Sequence, residues 1–495
     1  MEKGSRIKNL VNSKLYPLLL FVVSFVFVVL FSRSTSFLYV YEGGDPSIFK
    51  QMGLALMRGK TLYIDYFDNK GCILYFIQAL GLWLGGDFFI MLMQVLSLTV
   101  TLMIWDKMLA LYRNERQRLV YIIAALVMLF CFYSAGDQTQ EWCLPYISYP
   151  LLVYFRAYKL NKEIKPIHWF IIGFCFGIIT FIQINNACVL VGFVAYYWIQ
   201  QLLKKDYRKF FSGLVWFVLG WMIVAVACVL YFYLKAGWHG VYEMVYASFL
   251  SNFEYIGASF SRRPFFYVPY VVFLLAFVLF QIFNLYKKKD LLIPALISLF
   301  LFAGTFGTLC NMYYLMAILP LCIVDMMFID FFGKRKVNYC LGGVFLVCMA
   351  YYACNPLLHL VEDLIRHKER ELVIYEDFHR CIENIPEAER DSIYNYNVYS
   401  PGTSMMQHEG LLQCNRVLFT ALVFSLPTLW DEEMSQPFIP PKWMMVSWDV
   451  VFQDEDAIFI IDNYDLCCEF MYDKVYLEKP KVGEALKVCI YRRKY

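Results

Sequence analysis

The stretch that decides the fold is YEGGDPSIFKQMGLALMRGKTLYIDYFDNKGCILYFIQALG, residues 41–81. It follows an apolar segment at 15–33 that is long enough to cross a bilayer and has a basic stretch before it. Its GGDP turn predicts the start of a helix, and Gly59 fits the residue just beyond that helix's end. The apolar positions follow a helical period: Ile48, Phe49, Met52, Leu56 and Met57. We therefore expect an amphipathic loop helix at the outer membrane surface, with Asp45 at its start.

Basic clusters recur along the chain, at 113–118, 159–165, 204–209, 287–289 and 334–336. Two apolar spans lie between successive clusters, and the turns between paired spans carry few Lys or Arg residues, which is the positive-inside pattern. The predicted spans are 15–33, 87–111, 119–135, 142–158, 167–184, 187–203, 210–234, 265–286, 291–306, 309–331 and 338–354. About eleven spans put the N-terminus in the cytoplasm and the C-terminal tail outside.

One apolar segment, 72–86, is left over by this parity and is short for a span. We predict that it forms an interfacial or re-entrant helix within a first outer loop, 34–86. A second long outer loop is predicted at 235–264. Residues 1–354 then form a transmembrane module, and residues 355–495 form a separate tail.

The composition supports a polytopic membrane protein with a different kind of domain at its C-terminus. Hydrophobic residues make up 60% of the chain and charged residues 17%, against roughly 25% charged in soluble domains. After position 354 there are 24 of the 41 acidic residues but 14 of the 44 basic ones, so the tail carries −10 and the rest +13. The basic charge lies in short clusters between spans, which excludes a nucleic-acid-binding surface.

The tail has the alternating pattern of a small α/β domain. A helical stretch is predicted at 361–385 and another at 403–414. The strand-like runs are YNYNVYS (394–400), KWMMVSW (442–448), AIFIID (457–462), KVYLE (474–478) and ALKVCIYRR (485–493). Disulfide formation among the tail cysteines is open, since spacing alone does not pair them. The chain has no CxxC and no spaced pair of His, so we expect no metal site and no cofactor, although a divalent metal stays possible.

At residues 41–81 the chain resembles the bacterial branch of the GT-C glycosyltransferases, which use polyprenyl-phosphate-linked sugars. Relatives in that branch include the protein O-mannosyltransferases and the lipid A aminoarabinose transferases. The resemblance rests on an Asp just after the first span and on the pattern G…YxDxFDxKGxxxYxxxALG. The matching residues are Asp45, Gly59, Tyr63, Asp65, Phe67, Asp68, Lys70, Gly71, Tyr75, Ala79, Leu80 and Gly81. A second match is the loop GDQTQEWCLP, 136–145. The chain departs from the family at Cys72, where Pro is usual, and at Tyr313–Tyr314, where His-Tyr is common.

The resemblance implies a GT-C-like fold and an inverting hexosyl- or pentosyltransferase in a bacterial inner membrane. Its donor would be a polyprenyl-phosphate sugar of the undecaprenyl-phosphate type. Its acceptor would be a cell-envelope glycan, lipid or protein on the extracytoplasmic face. The residues agree with this reading: transfer needs one carboxylate to accept the hydroxyl proton and cations on the leaving phosphate. A glycosidase instead needs two flanking carboxylates.

We expect Asp45 to be the base and Lys70 to bind the donor phosphate, with Arg58, Arg262 and Arg263 as further phosphate ligands. Glu141 is expected to be catalytic by positioning the acceptor or a basic partner, and Asp137 is the alternative for that role. Tyr63 and Asp68 are candidates for acceptor positioning.

Structural roles would also account for these residues. Asp45 can be a helix N-cap, Asp68 a turn residue, and Lys70 an interfacial lysine with its head in water. Arg262 and Arg263 can bind lipid headgroups.

Two rival functions remain open, a polysaccharide polymerase or ligase and a flippase for lipid-linked glycans. A transporter is expected to carry charges within its spans, and here the predicted ones are Asp325 and Asp330. The sequence shows no half-to-half repeat of the kind common in transporters. A polymerase is expected to have its large outer loop in mid-chain rather than as a C-terminal tail.

Overall fold

The computed structural model describes residues 11, 13–32, 44–133, 136–262, 268–306, 312–328, 368–418, 426, 428–429, 439–447, 454–473 and 485–494. The predicted span 338–354, Asp330, Arg263 and the strand-like run 474–478 lie outside these residues. The chain forms two compact units. The first contains Met1–Ser32, Asn69–Leu74 and Met91–Leu360, and the second contains Arg33–Asp68, Tyr75–Ile90 and Val361–Tyr495. The segments of the first outer loop thus belong with two different units, which a division of the sequence at 354 does not anticipate.

Helices dominate the first unit, since apolar stretches bury their backbone polar groups only by forming internal hydrogen bonds. The helices with residues in this unit are α1 (Tyr16–Phe31), the start of α3 (Cys72–Gly85), α4 (Asp87–Leu109), α5 (Glu115–Phe132), α6 (Thr139–Leu160), α7 (Pro166–Leu203), α8 (Tyr207–Val245), α9 (Ser251–Arg262), α10 (Val268–Leu285), α11 (Lys289–Phe306) and α12 (Leu319–Phe328). A π-helix (Tyr246–Leu250) precedes α9 and a 3-10 helix (Met312–Ile318) precedes α12.

Three helical stretches in the described residues are long and apolar enough to cross a membrane: Asp87–Leu109, Pro166–Leu203 and Tyr207–Ile256. Shorter apolar helices include Tyr16–Phe31 and Leu274–Leu285. The prediction of a helical membrane protein is confirmed, while the number and orientation of the crossings stay predictions.

Two of the long helices are interrupted. In α7 the backbone of Gln183 is extended, with φ −163° and ψ 113°, so the predicted spans 167–184 and 187–203 are two helices that meet at this residue. In α8 the break lies at Ala236 and Gly237, and Gly237 has a φ of 62° that glycine adopts without strain. The predicted second outer loop, 235–264, is helical in its described part.

Glycines bring α7 and α8 into close contact. A Cβ atom on Gly173 would lie 1.9 Å from the carbonyl oxygen of Phe217, and one on Gly220 would lie 2.0 Å from that of Phe170. Small residues of this kind let two helix backbones approach closely in an apolar environment. The backbones of α7 and α8 are therefore in close contact at two points along the helices.

The second unit combines loop helices with the tail. Its helices are α2 (Gly44–Met57), most of α3 (Cys72–Gly85), α13 (Lys368–Glu383), α14 (Tyr399–His408) and α15 (Asp454–Asn463). Its strands are β1 (Ile393–Asn395), β2 (Trp443–Ser447), β3 (Tyr464–Asp473) and β4 (Ala485–Arg493). They form one sheet in the order β1-β2-β4-β3, in which β1 and β2 are parallel and the other pairs are antiparallel.

Side chains on β2 alternate between two cores, as the pleat of a strand requires. Trp443 and Met445 pack in a cluster with α13 and α14, while Met444 and Val446 pack in a second cluster with Ile460 of α15. Helices thus cover both faces of the sheet. A disulfide between Cys381 of α13 and Cys468 of β3 joins helix and sheet and supplies the pairing that spacing left open.

The strand predictions for the tail hold only in part. The runs 442–448 and 485–493 coincide with β2 and β4, but 457–462 belongs to helix α15 and not to a strand. Within α15, Ile460 is buried while Ile458 and Ile461 are exposed, so the helix packs one face against the sheet. In YNYNVYS, only the first residues extend β1, because α14 begins at Tyr399.

We expect Gly173→Ala to destabilise the protein, since its methyl group would overlap the Phe217 carbonyl of α8. Overpacking of this kind costs about 1–3 kcal/mol. The measurement is the thermal unfolding midpoint of purified protein in detergent. Gly304→Ala is the matched control, because a Cβ there meets nothing within 4 Å. Equal midpoints for the two variants would contradict the close contact.

Candidate active site

Asp45 lies in the first turn of α2, which begins at Gly44, and is half-buried. A carboxylate in this position interacts favourably with the positive end of the helix dipole. Because α2 begins at Gly44, Asp45 lies inside the helix and not at its N-cap. The predicted loop helix is therefore present, with its acidic residue at the expected end.

The helix α2 is buried far more completely than an amphipathic surface helix would be. All residues from Pro46 to Gly53 are buried, including Lys50, and only Met57 of the predicted apolar face is exposed. Gln51 Nε2 donates to the Leu411 carbonyl of the tail at 2.7 Å. The predicted single polar face is therefore wrong, because the tail packs over α2 within the second unit, while its place at the outer membrane surface stays a prediction.

Lys50 is a charged residue of this unit that the sequence pattern did not single out. Its side chain is fully buried, and its Nζ lies 2.8 Å from Asp87 Oδ1. Removing a lysine from water is costly unless it is paired, so this ion pair fixes the orientation of α2. Its signal in the sequence was a lone lysine between Phe49 and Met52 on an apolar face.

Arg58, a predicted phosphate ligand, lies just after α2 and is engaged by the tail. Its guanidinium forms an ion pair with Asp391 and donates to the Gly410 carbonyl. The side chain is about one-third exposed. The structure thus gives Arg58 a role in holding the loop to the tail, whatever its contact with a donor.

Tyr63 and Asp68 build the turn between α2 and α3. Tyr63 is buried with a φ of 67°, which is rare for a bulky residue, and its amide donates to the Tyr66 carbonyl at 2.6 Å. Asp68 accepts a hydrogen bond of 2.7 Å from the Tyr75 hydroxyl. Arg416 of the tail clamps the same turn, accepting from the Phe67 amide through its carbonyl at 2.7 Å. Both predicted positioning residues therefore stabilise the loop itself.

Lys70 and Gly71 belong to the first unit. The Lys70 ammonium is half-buried and donates to Asn69 Oδ1 at 2.6 Å. The Gly71 amide donates to the Ile182 carbonyl at 2.9 Å, and a Cβ at Gly71 would lie 2.1 Å from the Phe181 oxygen. The backbones at Gly71 and Phe181 approach so closely that only glycine fits next to Lys70. Cys72 is the first residue of α3. Proline, the usual residue of the family at this point, is also well suited to the first position of a helix.

Asn252 supports the same segment from the other side. It follows the π-helix, and its Nδ2 donates to the Asn69 carbonyl at 3.2 Å. A π-helix shifts the register of the residues after it, which is how such segments aim side chains at functional sites. No sequence signal pointed to Asn252.

The loop 136–141 is held together by its own carboxylates. Glu141 is buried, and its two oxygens accept from the Tyr133 hydroxyl at 2.8 Å and from the Asp137 amide at 2.9 Å. Asp137, with a φ of 56°, accepts from Trp142 Nε1 at 2.7 Å. Because both carboxylate oxygens of Glu141 accept hydrogen bonds, this side chain holds the loop that carries Asp137 in place.

The break in α7 joins these two segments within the first unit. Gln183 Oε1 accepts from Gln140 Nε2 at 3.1 Å and pairs with the Thr139 hydroxyl, while the preceding carbonyl, of Ile182, holds Gly71. Close by in sequence, Asn186 Oδ1 is buried without a hydrogen-bond partner among the described residues. The polar run QINN, 183–186, inside an apolar stretch was the signal that could have found this junction.

The predicted site residues thus fall into two groups. The first unit brings together Lys70, Asp137 and Glu141, and the second unit contains Asp45, Arg58, Tyr63 and Asp68. Helix α9 ends at Arg262. The part of the chain that the structure describes includes neither the Arg262 side chain nor Arg263. Within the described residues, no group of three or more His, Cys, Asp or Glu residues could hold a metal ion.

The fold is shared with proteins of known structure. No protein-family profile matches the chain, and no curated protein sequence does. The fold is similar to that of ArnT from Cupriavidus metallidurans bound to undecaprenyl phosphate, with a TM-score of 0.58 and 12% identity over 96% of this chain and 98% of that one. It is also similar to the Archaeoglobus fulgidus oligosaccharyltransferase tethered to an acceptor peptide with the NVT sequon, with a TM-score of 0.50 and 12% identity over 93% of this chain and 73% of that one. Both neighbours are GT-C glycosyltransferases, and the chain has the GT-C fold that the resemblance at residues 41–81 predicts.

Proposed function

We propose that the protein is a membrane glycosyltransferase that moves a sugar from a polyprenyl-phosphate donor of the undecaprenyl-phosphate type to an acceptor on the extracytoplasmic face. The acceptor class is a glycan, lipid or protein of the cell envelope. The observation that carries the proposal is the similarity over nearly the whole of both chains to a structure bound to undecaprenyl phosphate. The motif at residues 41–81 supports it independently.

The proposed reaction is a single displacement at C1 of the sugar. The acceptor hydroxyl oxygen forms the new bond to C1 as the bond from C1 to the phosphate oxygen breaks, which inverts the configuration. Polyprenyl phosphate leaves with the bonding electrons, and the hydroxyl proton passes to the Asp45 carboxylate. The phosphate is a good leaving group, so a cation such as Lys70 stabilises it without donating a proton.

We prefer Asp45 over Glu141 as the base because the two residues differ in burial. Both oxygens of Glu141 accept hydrogen bonds within its own loop, and its burial leaves no open approach for an acceptor. Asp45 is half-buried in the first turn of α2, so part of the residue stays exposed. Glu141 then acts as a positioning residue for the loop 136–141, with Asp137 as the next candidate base.

The activity is tested with purified protein in detergent and a radiolabelled undecaprenyl-phosphate sugar. Appearance of label in an acceptor, with release of undecaprenyl phosphate, supports transfer. A protein that moves the lipid in vesicles and transfers nothing in detergent would be a flippase. The sugar and acceptor are identified together by mass spectrometry of envelope glycans and lipids from a deletion strain, in which the missing residue marks both.

Asp45→Asn should lower turnover by about 10²–10⁴-fold, the usual worth of a general base, with expression and unfolding temperature unchanged. Asn keeps the size and hydrogen-bonding ability of Asp but is not basic. The measurement is single-turnover transfer at saturating donor. Asp65→Asn, in the same loop but exposed, is the control and should be near normal. Activity of Asp45→Asn within a few-fold of wild type would move the role to Asp137.

Lys70→Ala should raise the donor KM or lower kcat/KM, because a point positive charge beside the phosphate is lost. Lys70→Arg keeps a charge and should retain part of the activity. The exposed Lys60 provides the control change, Lys60→Ala. A donor titration of Lys70→Ala that superimposes on wild type would leave Lys70 as an interfacial lysine.

The tail should lie outside the cytoplasm. The disulfide Cys381–Cys468 supports this, since such bonds persist in oxidising compartments. Alkaline phosphatase fused after Tyr495 should be active. In intact membranes, Cys381 and Cys468 should resist alkylation until reduced, while the exposed free thiol of Cys467 should react at once. An inactive fusion together with reactive Cys381 would place the tail inside.

A further inference from the structure

A second group of charges lies in the first unit, apart from the candidate active site. The rings of Tyr112, just after α4, and Phe328, the last residue of α12, are in contact, tilted by 53° with centroids 4.7 Å apart. Lys159 from the end of α6 and Lys288 from the turn before α11 extend over these rings. We call these residues, together with Arg113, the Tyr112 cluster.

The cations of the Tyr112 cluster converge although they come from separate segments. The Lys159 Nζ lies 5.0 Å from the centre of the Tyr112 ring, and the Lys288 Nζ lies 5.5 Å from it. The Lys288 Nζ is also 3.8 Å from the centre of the Phe328 ring. Arg113 is held beside them by a hydrogen bond of 2.9 Å from its Nε to the Met326 carbonyl. Two ammonium groups therefore lie over one aromatic pair, and the Arg113 guanidinium lies over the neighbouring ring of Tyr121, 5.5 Å from its centre.

The arrangement is electrostatically unfavourable as it stands. Burial and, after it, the nearby Arg113 lower the pKa of Lys288. No carboxylate forms an ion pair with Lys159 or Lys288 in the part of the chain that the structure describes. The nearest acid in sequence, Asp290, accepts the Tyr196 hydroxyl at 2.6 Å. The aromatic faces offset part of the repulsion, and an anion would offset the rest.

We propose that the Tyr112 cluster binds a phosphate group. The two ammonium groups meet the charge of a phosphate monoester or diester, as point charges and donors. The rings supply an apolar wall for the carbon atoms next to the phosphate. The cluster lies at the ends of apolar helices and among the basic clusters of the chain, which is where an anionic phospholipid headgroup sits. A free phosphate compound has the same chemistry, and the experiment separates the two sources.

The test is native mass spectrometry of the full-length protein, purified and delipidated in a neutral detergent. It is titrated with phosphatidylglycerol, with phosphatidylcholine as the lipid that has no net charge, and separately with inorganic pyrophosphate. The double variant Lys159→Gln/Lys288→Gln should bind its ligand at least about tenfold more weakly than wild type, since each charge-assisted hydrogen bond is worth about that much. Lys159→Arg/Lys288→Arg should bind within a few-fold of wild type.

The matched control is Lys162→Gln/Lys289→Gln, which removes the same charge from the same two segments outside the cluster. Weaker binding of phosphatidylglycerol in the cluster variant alone identifies a lipid site, and weaker binding of pyrophosphate alone identifies a site for a free phosphate compound. Equal binding of both ligands by the cluster and control variants overturns the proposal. Since Lys159 is exposed, Lys159→Gln by itself should leave the fold intact and still weaken binding. Unchanged binding by that single variant also counts against the site.

Discussion

The hydrogen bond from the Gly71 amide to the Ile182 carbonyl is the contact on which the candidate site of the first unit depends. It forms where α7 is interrupted at Gln183, so a backbone carbonyl that a continuous helix would use internally is available to another segment. The side chain of Gln183 engages Thr139 and Gln140 at the same place. One broken helix therefore aligns the segment with Lys70 and the segment with Asp137 and Glu141. An interrupted apolar helix is tolerated in a membrane because neighbouring segments satisfy its freed backbone groups.

The contrast between the carboxylates follows from how each one is supported. The two carboxylate oxygens of Glu141 accept hydrogen bonds from the Tyr133 hydroxyl and the Asp137 amide. In the second unit, Asp68 accepts from Tyr75 and Asp391 pairs with Arg58. These acids hold loops in shape. Asp45 is half-buried in the first turn of α2, so it is less enclosed than Glu141. The chemistry proposed for the chain needs one such acid.

The sequence was sufficient for features that depend on local patterns. The loop helix from Gly44 to Met57 and the strand from Ala485 to Arg493 are where hydrophobic period and turn residues put them. It was insufficient where partners come from far along the chain. Lys50 is a lone lysine on an apolar face, but that position alone does not identify Asp87 as its partner. The run 457–462 is apolar and short, so its period does not decide between strand and helix. Of the candidate site, helix α2 with Asp45 in its first turn was predictable, whereas the break at Gln183 was marked only by the polar run QINN, 183–186.

The contact between Arg58 and Asp391 joins residues that are 333 positions apart. A ribosome adds about 5–20 residues per second, so the loop helix is made on the order of 20 s to a minute before the segment that covers it. During that interval Gln51 and Arg58 have none of their tail partners, and the helix is too short to be stable on its own. The second unit therefore completes its fold only after synthesis of the last strand. Newly made chains that stop before Asp391 would lack the tail residues that contact this helix and would leave it open to proteases, which links the survival of the loop to the tail.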